Sequence, residues 1–275
     1  MQVRTKNRTV NNRPIGIFDS GFGGLTVMSA IVEALPSESL IYFGDTAHVP
    51  YGSKSKDIVI KYSKEITSFL MKFKVKLIVV ACNTASAFAL STLRKTLKVP
   101  VIGVIEPGSK AAIYASKNRK IGVIGTEGTI NSESYVREIN RISRYEVYQQ
   151  ACPLFVPLVE EGWNSGEIAD SIVKKYIKPL LDKKIDTLVL GCTHYPLLRE
   201  TLKKNVGRGI ALIDSAKATA QEVKSILEEA CLLADLKSRK FLKFYVSDNP
   251  KKFQAIGSRF FSKEMPSVKK IKMIS

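Results

Sequence analysis

The sequence is poor in the residues that build disulfide frameworks and metal sites. Its 275 residues include four cysteines and two histidines. No two cysteines form a CxxC pair, so neither a zinc ribbon nor a thioredoxin-like redox site is expected. A disulfide framework is not expected either, because the chain shows no secretory signal. The thiols therefore need another explanation.

Long apolar runs are also missing. No segment approaches the roughly 18 to 20 apolar residues that a membrane-spanning helix needs. The opening sequence MQVRTKNRTVNNRP contains no apolar core of a signal peptide. We therefore expect a cytoplasmic protein with no membrane partner. With 45% hydrophobic and 25% charged residues, the composition is that of a folded chain of one large or two modest domains.

Acidic residues are scarce beside basic ones. The chain has 43 Lys and Arg against 25 Asp and Glu, a net charge of +18. Such an excess suggests the hypothesis that the protein binds nucleic acid. However, residues 1–13 and 237–275 together carry +13 of this charge, and the remaining residues carry only +5. No helix-turn-helix, RNP-type or zinc-finger pattern is present, so we do not expect nucleic acid as the primary partner.

Short β-branched runs alternate with segments of helical periodicity. The predicted strands are residues 15–19, 40–45, 76–81, 99–105, 120–125, 186–191, 210–214 and 241–246. Several are apolar throughout, which is typical of strands buried on both faces of a parallel sheet. Residues 56–73 and 215–236 have helical spacing, and Asp214 or Ser215 is the predicted N-cap of the second segment. The pattern predicts an α/β fold with mainly parallel sheets.

Two parts of the sequence recur at similar separations. LIVVACNTASA around Cys82 resembles TLVLGCTHYPLL around Cys192, 110 residues later. IGIFDSGFGG, from Ile15, resembles IGVIGTEGTI, from Ile121, at a separation of 106 residues. These echoes indicate two similar α/β units of about 100 residues each, close to the usual size of a domain.

The repeat predicts two pseudo-symmetric α/β domains with the active site in the cleft between them. The first domain is expected to combine residues 1–106 with 212–275 and to carry Cys82. The second is expected to span residues 107–211 and to carry Cys192. The C-terminal segment is assigned to the first domain because it is too short for a third one.

Four reactive side chains directly follow predicted strands, namely those of Asp19, Asp45, Cys82 and Cys192. Parallel strands end at a common edge of their sheet, and α/β proteins bind ligands at that edge. A lone cysteine after an apolar run is ordinarily a small buried hydrophobe. Equivalent cysteines in two repeats instead predict two thiols that face one cleft.

Two opposed acid/base groups are what inversion of a tetrahedral carbon requires. One group removes a proton, and the other returns a proton to the opposite face. Thiols suit both roles because their reference pKa of about 8.5 lies near neutrality. A nucleophilic cysteine enzyme needs only one thiol with a histidine to activate it, and His194 lies two residues from Cys192. Spacing alone leaves that alternative open.

The glycine-rich segment SGFGG, residues 20–24, opens a helix after a predicted strand. Its backbone N–H groups suit a carboxylate. The segment matches neither the dinucleotide-binding nor the P-loop motif. A tight turn explains its glycines equally well.

Six segments together resemble the signature segments of the bacterial glutamate racemase family. They are DSGFGGLTV (19–27), YFGDTAHVPYGSKS (42–55), VACNTASA (80–87), GVIGTEGTI (122–130), CPLFVPLVEEG (152–162) and GCTHYPLL (191–198). The C-terminal segment DNPKKFQAIGSRFF is also similar. The resemblance implies interconversion of L- and D-glutamate with no cofactor and no metal, supply of D-glutamate for peptidoglycan, and a homodimer. Aspartate or another amino acid is the alternative substrate within this family.

The same resemblance assigns the site residues. Cys82 and Cys192 are the expected catalytic proton donor and acceptor, the first acting on D-glutamate and the second on L-glutamate. The residues expected to support proton transfer are Asp19, Asp45, Glu160 and His194. The residues expected to bind the substrate are Asp19, Ser20, Tyr51, Gly52, Asn83, Thr84, Thr193 and His194.

Overall fold

The computed structural model describes residues 10–261 and 265–272. Residues 1–9, which hold much of the basic N-terminal charge, lie outside the described residues. The strands are β1 (Ile15–Asp19), β2 (Leu40–Gly44), β3 (Leu77–Val80), β4 (Val101–Gly103), β5 (Lys120–Gly125), β6 (Glu146–Ala151), β7 (Thr187–Gly191), β8 (Ala211–Asp214), β9 (Leu242–Val246) and β10 (Val268–Lys270).

Helices connect most of these strands. They are α1 (Leu25–Ala34), α2 (Lys56–Met71), α3 (Asn83–Thr96), α4 (Ile105–Ala115), α5 (Glu127–Asn131), α6 (Ser134–Ile142), α7 (Phe155–Glu160), α8 (Glu167–Leu181), α9 (Arg199–Val206), α10 (Ser215–Glu229) and α11 (Pro250–Gly257). None of the helices in the described ranges is long and apolar enough to cross a bilayer.

The strands form two parallel sheets of matching topology. The first has the order β10-β9-β2-β1-β3-β4, and the second has the order β6-β5-β7-β8. The order β2-β1-β3-β4 therefore recurs in the second sheet, with β1 equivalent to β5 and β3 equivalent to β7. This confirms the predicted α/β class with mainly parallel sheets. The two cysteines, Cys82 and Cys192, follow the carboxyl ends of β3 and β7.

The C-terminal part of the chain returns to the first sheet, where β9 pairs with β2 and β10 pairs with β9. Strand β8 pairs with β7 and so belongs to the second sheet. Strand β8 spans Ala211–Asp214, at the predicted junction between the two domains. Helix α10 then packs against both α1 and α4, one from each unit.

Two strands lie outside the predicted apolar runs. Strand β6 reads EVYQQA and is half-exposed over most of its length, and β10 has only three residues, VKK. Both are edge strands. One side of an edge strand meets solvent, so it does not need the continuous apolar run by which the central strands are predicted.

Helix α10 is shorter than its apolar periodicity predicts. It begins after Asp214, whose carboxylate accepts the N–H of Ala216 at 2.8 Å, and it ends at Glu229 rather than near residue 236. The chain then turns at Cys231, which has a φ of 55°. Leu232 still packs against the core after this turn. Its apolar character reflects core packing and not a longer helix.

One hydrophobic core runs between the two sheets. Ile15 and Ile17 of β1 belong to it together with Leu190 of β7, whereas Phe18 of β1 and Val189 of β7 contribute to separate cores on the outer faces. This alternation follows from the period of two in a strand. The shared core holds the two units side by side and leaves their carboxyl ends facing one cleft.

A buried ion pair joins the far end of the first sheet to the chain segments around it. Lys76 Nζ lies 2.6 Å from Glu38 Oε2 and donates to the carbonyls of Asn11 and Leu232 at 2.7 and 2.6 Å. Glu38 Oε1 accepts the N–H of Ala234 at 2.8 Å. Burial lowers the pKa of Lys76, although its hydrogen bond to Glu38 opposes this shift. The pair thereby anchors the loop through which the chain crosses back to the first sheet.

Candidate active site

A cavity lies between the carboxyl ends of β3 and β7 and is lined by both units. Ten of the twelve predicted site residues are on its wall. These ten are Ser20, Tyr51, Gly52, Cys82, Asn83, Thr84, Glu160, Cys192, Thr193 and His194. The two that do not line the cavity are Asp19 and Asp45. Both thiols therefore face one space, each at the end of an equivalent strand.

Cys82 sits where β3 ends and α3 begins. Its Sγ accepts the backbone N–H of Ala85 at 3.4 Å and lies 3.7 Å from Ser20 Oγ. Burial, together with the nearby Asp19 carboxylate, raises the pKa of the Cys82 thiol to about 12. At neutral pH Cys82 is thus a thiol, the form that donates a proton.

Asp19 is a buried carboxylate of which one oxygen is hydrogen-bonded and the other is not. Its Oδ2 accepts the N–H of Gly21 at 2.9 Å, whereas Oδ1 has no hydrogen-bond partner among the described residues. Burial raises the pKa of Asp19. A buried acceptor without a donor is costly.

Cys192 has a cationic neighbour instead of an anionic one. His194 Nδ1 lies 3.8 Å from Cys192 Sγ, and His194 Nε2 lies 3.1 Å from Glu160 Oε1. Burial by itself lowers the pKa of His194, but the hydrogen bonds to Cys192 and Glu160 outweigh it and raise the pKa to about 10. An imidazolium has an N–H on both ring nitrogens. It can therefore donate to Cys192 and Glu160 together.

Asp45 lies behind the cavity wall and supports Tyr51. The Asp45 carboxylate accepts the Tyr51 hydroxyl at 2.6 Å and the Ser247 hydroxyl at 2.7 Å, and it lies 2.8 Å from His48 Nδ1. The His48 ring stacks on Tyr62 with centroids 4.0 Å apart. The structure thus connects Asp45 to the cavity through Tyr51.

Comparison with known proteins identifies the family. Residues 15–223 match the family model described as Asp/Glu/hydantoin racemase. This chain belongs to that racemase family. A glutamate racemase of Geobacter metallireducens is 49% identical over 262 residues, covering 95% of this chain and 97% of the relative. The chain is thus an isomerase of the racemase class, as the sequence motifs predict.

Solved structures agree with the assignment. A glutamate racemase isoform from Bacillus anthracis is 41% identical with a TM-score of 0.91, covering 95% of this chain and 98% of that one. A glutamate racemase from Francisella tularensis, solved in complex with D-glutamate, is 40% identical with a TM-score of 0.90 and the same coverage. Both likenesses span nearly the whole racemase, including the two-sheet arrangement around the cleft.

Sequence reasoning missed two hydroxyl groups on the cavity wall of this racemase. Thr126 and Thr129 line the cavity beside Thr84. Thr84 Oγ1 lies 2.9 Å from Thr126 Oγ1 and 3.1 Å from Thr129 Oγ1, and the latter two are 3.1 Å apart. The missed signal was their position directly after β5, at the same sheet edge as Cys192. This hydroxyl cluster links α3 of the first unit to α5 of the second.

Two glycines allow the units to approach closely beside the thiols. A Cβ at Gly23 would overlap Thr193 Oγ1 and lie 2.7 Å from His194 Nδ1. A Cβ at Gly52 would lie 2.5 Å from Thr126 Cβ. Real Cβ atoms do not make contacts this short, so these two positions set how near the two cavity walls come.

Replacing Glu160 by Gln should lower the pKa of His194. The amide lacks the negative charge that stabilises the imidazolium, so the ring loses its proton at a lower pH than in the parent protein, where the pKa is about 10. Titration of ¹⁵N-labelled histidine by NMR measures this directly. The chain has only two histidines. His48, which contacts Asp45, is the internal control, and its signals should be the same in both proteins. A His194 pKa that stays in place in Glu160→Gln contradicts the assigned role of Glu160.

Proposed function

We propose that this racemase interconverts L- and D-glutamate by two-base proton transfer at Cα, with Cys82 and Cys192 acting on opposite faces and no cofactor taking part. The observation that carries the proposal is that the two thiols line one cavity from equivalent strand ends of two similar units. Relatives named glutamate racemase at 40 to 49% identity support glutamate as the substrate.

The different surroundings of the thiols support a direction for each proton. In L-to-D turnover, the Cys192 thiolate beside His194 takes the Cα proton of L-glutamate and becomes a thiol. The Cys82 thiol then gives its proton to the opposite face of the carbanion and becomes a thiolate. This protonation forms D-glutamate, which leaves the cavity. The raised pKa of Cys82 makes it a thiol before this turnover begins. The D-to-L direction runs the same steps backwards from the opposite protonation states.

The polar groups of the cavity match the charges of glutamate. The described residues that line the cavity include neither Lys nor Arg, and the carboxylates are assigned to hydroxyl and amide donors with the His194 imidazolium nearby. Asn83 Nδ2 and Asp19 Oδ1 are buried without a hydrogen-bond partner among the described residues. The first, on the cavity wall, is a free donor for a carboxylate. The Asp19 carboxylate does not line the cavity, but its negative charge favours an ammonium group bound there.

Deuterium exchange tests the proposal. Metal-stripped and pyridoxal-free protein in D₂O should place deuterium at Cα of glutamate while circular dichroism shows the optical signal falling to that of a racemic mixture. Aspartate, measured side by side, separates the alternative substrate by kcat/KM. Absence of deuterium in both enantiomers of glutamate, or a clear preference for aspartate, overturns the proposed function.

Four expectations from the sequence stay predictions. They are the homodimer, the cytoplasmic location, the supply of D-glutamate for peptidoglycan and the division into domains of residues 1–106 with 212–275 and 107–211. The proposed chemistry depends on none of them, because both thiols and their neighbours belong to one chain.

A further inference from the structure

A buried tyrosine of the second unit holds a cavity side chain of the first. The Tyr135 hydroxyl, on α6, donates to Asn83 Oδ1 at 2.8 Å. Tyr135 is fully buried, and Asn83 lines the cavity next to Cys82. The two residues lie 52 positions apart in sequence. This hydrogen bond therefore crosses the boundary between the two units at the active site.

The Tyr135 ring has little freedom to move. A Cβ added at Gly191, at the end of β7, would lie 3.3 Å from its Cε2 atom, and one added at Gly108, on α4, would lie 3.3 Å from its hydroxyl oxygen. Glycines at these two positions leave just enough room for the ring. The hydroxyl is consequently presented to Asn83 from a fixed place.

We infer that Tyr135 is a positioning residue that orients the Asn83 amide so that its Nδ2 group donates to a substrate carboxylate. The inference rests on the proposed function, since it needs a carboxylate in the cavity. It also accounts for the arrangement of the amide: Oδ1 is bonded to Tyr135, while Nδ2 has no partner within the described part of the chain.

The two ends of a side-chain amide have nearly the same shape, so hydrogen-bond partners decide which end points where. A carboxylate only accepts hydrogen bonds. A flipped Asn83 would turn its carbonyl oxygen toward that carboxylate, which is repulsive, and would leave the Tyr135 hydroxyl hydrogen without an acceptor. With the Tyr135 hydroxyl donating to Oδ1, both N–H bonds of Nδ2 are available to the ligand.

The test is Tyr135→Phe, which keeps the ring and removes only the donor. Asn83 meets the carboxylate in both the ground state and the transition state, so KM for glutamate should rise about tenfold while kcat stays within about twofold. Tyr145→Phe is the matched control. It loses a hydroxyl that bonds the carbonyl of Ile113 and that lies outside the cavity wall, so its kinetics should be unchanged.

A double-mutant cycle separates positioning from packing. If Tyr135 acts through Asn83, then Tyr135→Phe added to Asn83→Ala should change KM no further. A purely structural role would move the thermal midpoint instead and would act equally in both backgrounds. An unchanged KM in Tyr135→Phe, or the same increase in the Asn83→Ala background, overturns the inference.

Glutarate binding keeps this test apart from the proposed chemistry. Glutarate has two carboxylates but no amino group and no stereocentre, so it cannot be racemised, and calorimetry gives its Kd directly. Tyr135→Phe should weaken glutarate binding by about the same factor as it raises KM. If the parent protein binds glutarate but exchanges no deuterium into glutamate, the proposed function fails while the Tyr135 result still stands. If glutarate affinity is the same in both proteins, the inference fails while racemisation stands.

Discussion

Replacing either Cys82 or Cys192 by Ala should remove racemisation almost completely. In the proposed mechanism each thiol supplies a proton-transfer step that the other cannot reach from the opposite face, and a positioned acid or base contributes roughly 10²- to 10⁴-fold in rate. Activity should fall by at least that factor in both directions. L- and D-glutamate have equal free energies in water, so kcat/KM must fall equally from both sides. Circular dichroism of each enantiomer measures the loss.

Deuterium exchange without inversion distinguishes the two variants. Cys82→Ala retains the base beside His194, so in D₂O it should exchange the Cα proton of L-glutamate while leaving D-glutamate untouched. Cys192→Ala should show the reverse selectivity. Cys231→Ala is the control, because Cys231 is exposed and outside the cavity wall. Full racemisation by either Cys82→Ala or Cys192→Ala would refute the two-base mechanism.

Replacing Gly23 by Ala should lower kcat by about 10²-fold. The new methyl group would overlap Thr193 Oγ1 and lie 2.7 Å from His194 Nδ1, and both side chains are buried at the wall that carries Cys192. The walls must separate to relieve this contact, and a misplacement of about 1 Å is enough for such a loss in an enzyme.

A matched glycine controls for the general effect of a methyl group. A Cβ at Gly209 meets nothing within 4 Å, and Gly209 has no positive φ that would strain a substituted residue. Gly209→Ala should therefore keep the parent kcat and the parent thermal midpoint. A kcat for Gly23→Ala within twofold of the parent value would show that the distance between the walls is not set at Gly23.

The contrast between the two thiols is a consequence of their neighbours. Cys82 has the buried Asp19 carboxylate nearby, whereas Cys192 has His194 held by Glu160. Negative charge beside a thiol favours its protonated form, and positive charge favours the thiolate. The site is therefore pseudo-symmetric in backbone but asymmetric in charge, which fits the proposal that its two thiols begin each turnover in opposite protonation states.

The net charge of +18 has little to do with the cavity. Within residues 10–261 and 265–272, no lysine or arginine lines it. Several basic side chains of the described ranges are paired on the surface, such as Lys204 with Asp170 and Arg94 with Glu106. These basic side chains thus lie on the surface, and the groups available to bind an acidic substrate are hydroxyls, amides and one imidazolium.

Much of the fold can be predicted from the sequence because it depends on local patterns. The central strands carry continuous apolar runs that only a doubly covered sheet can bury. The repeat around Cys82 and Cys192 predicts two similar units, and the two sheets indeed share an order of four strands. The edge strands β6 and β10 escaped prediction because their polar sides meet solvent. The predicted helix ran beyond the true end of α10 because the turn at Cys231 has no distinct sequence signal.

The sequence by itself determined the α/β class, the family and the pairing of two thiols at equivalent strand ends. Only the tertiary structure decided how the two walls meet. Tyr135 hydrogen-bonds Asn83, the hydroxyls of Thr126 and Thr129 hydrogen-bond that of Thr84, and Gly23 packs closely against Thr193. These contacts join residues far apart in the chain, which no periodicity relates. Burial and the Asp19 charge raise the pKa of Cys82, and the hydrogen bonds to Cys192 and Glu160 raise that of His194. These effects likewise exist only after folding has brought the groups together.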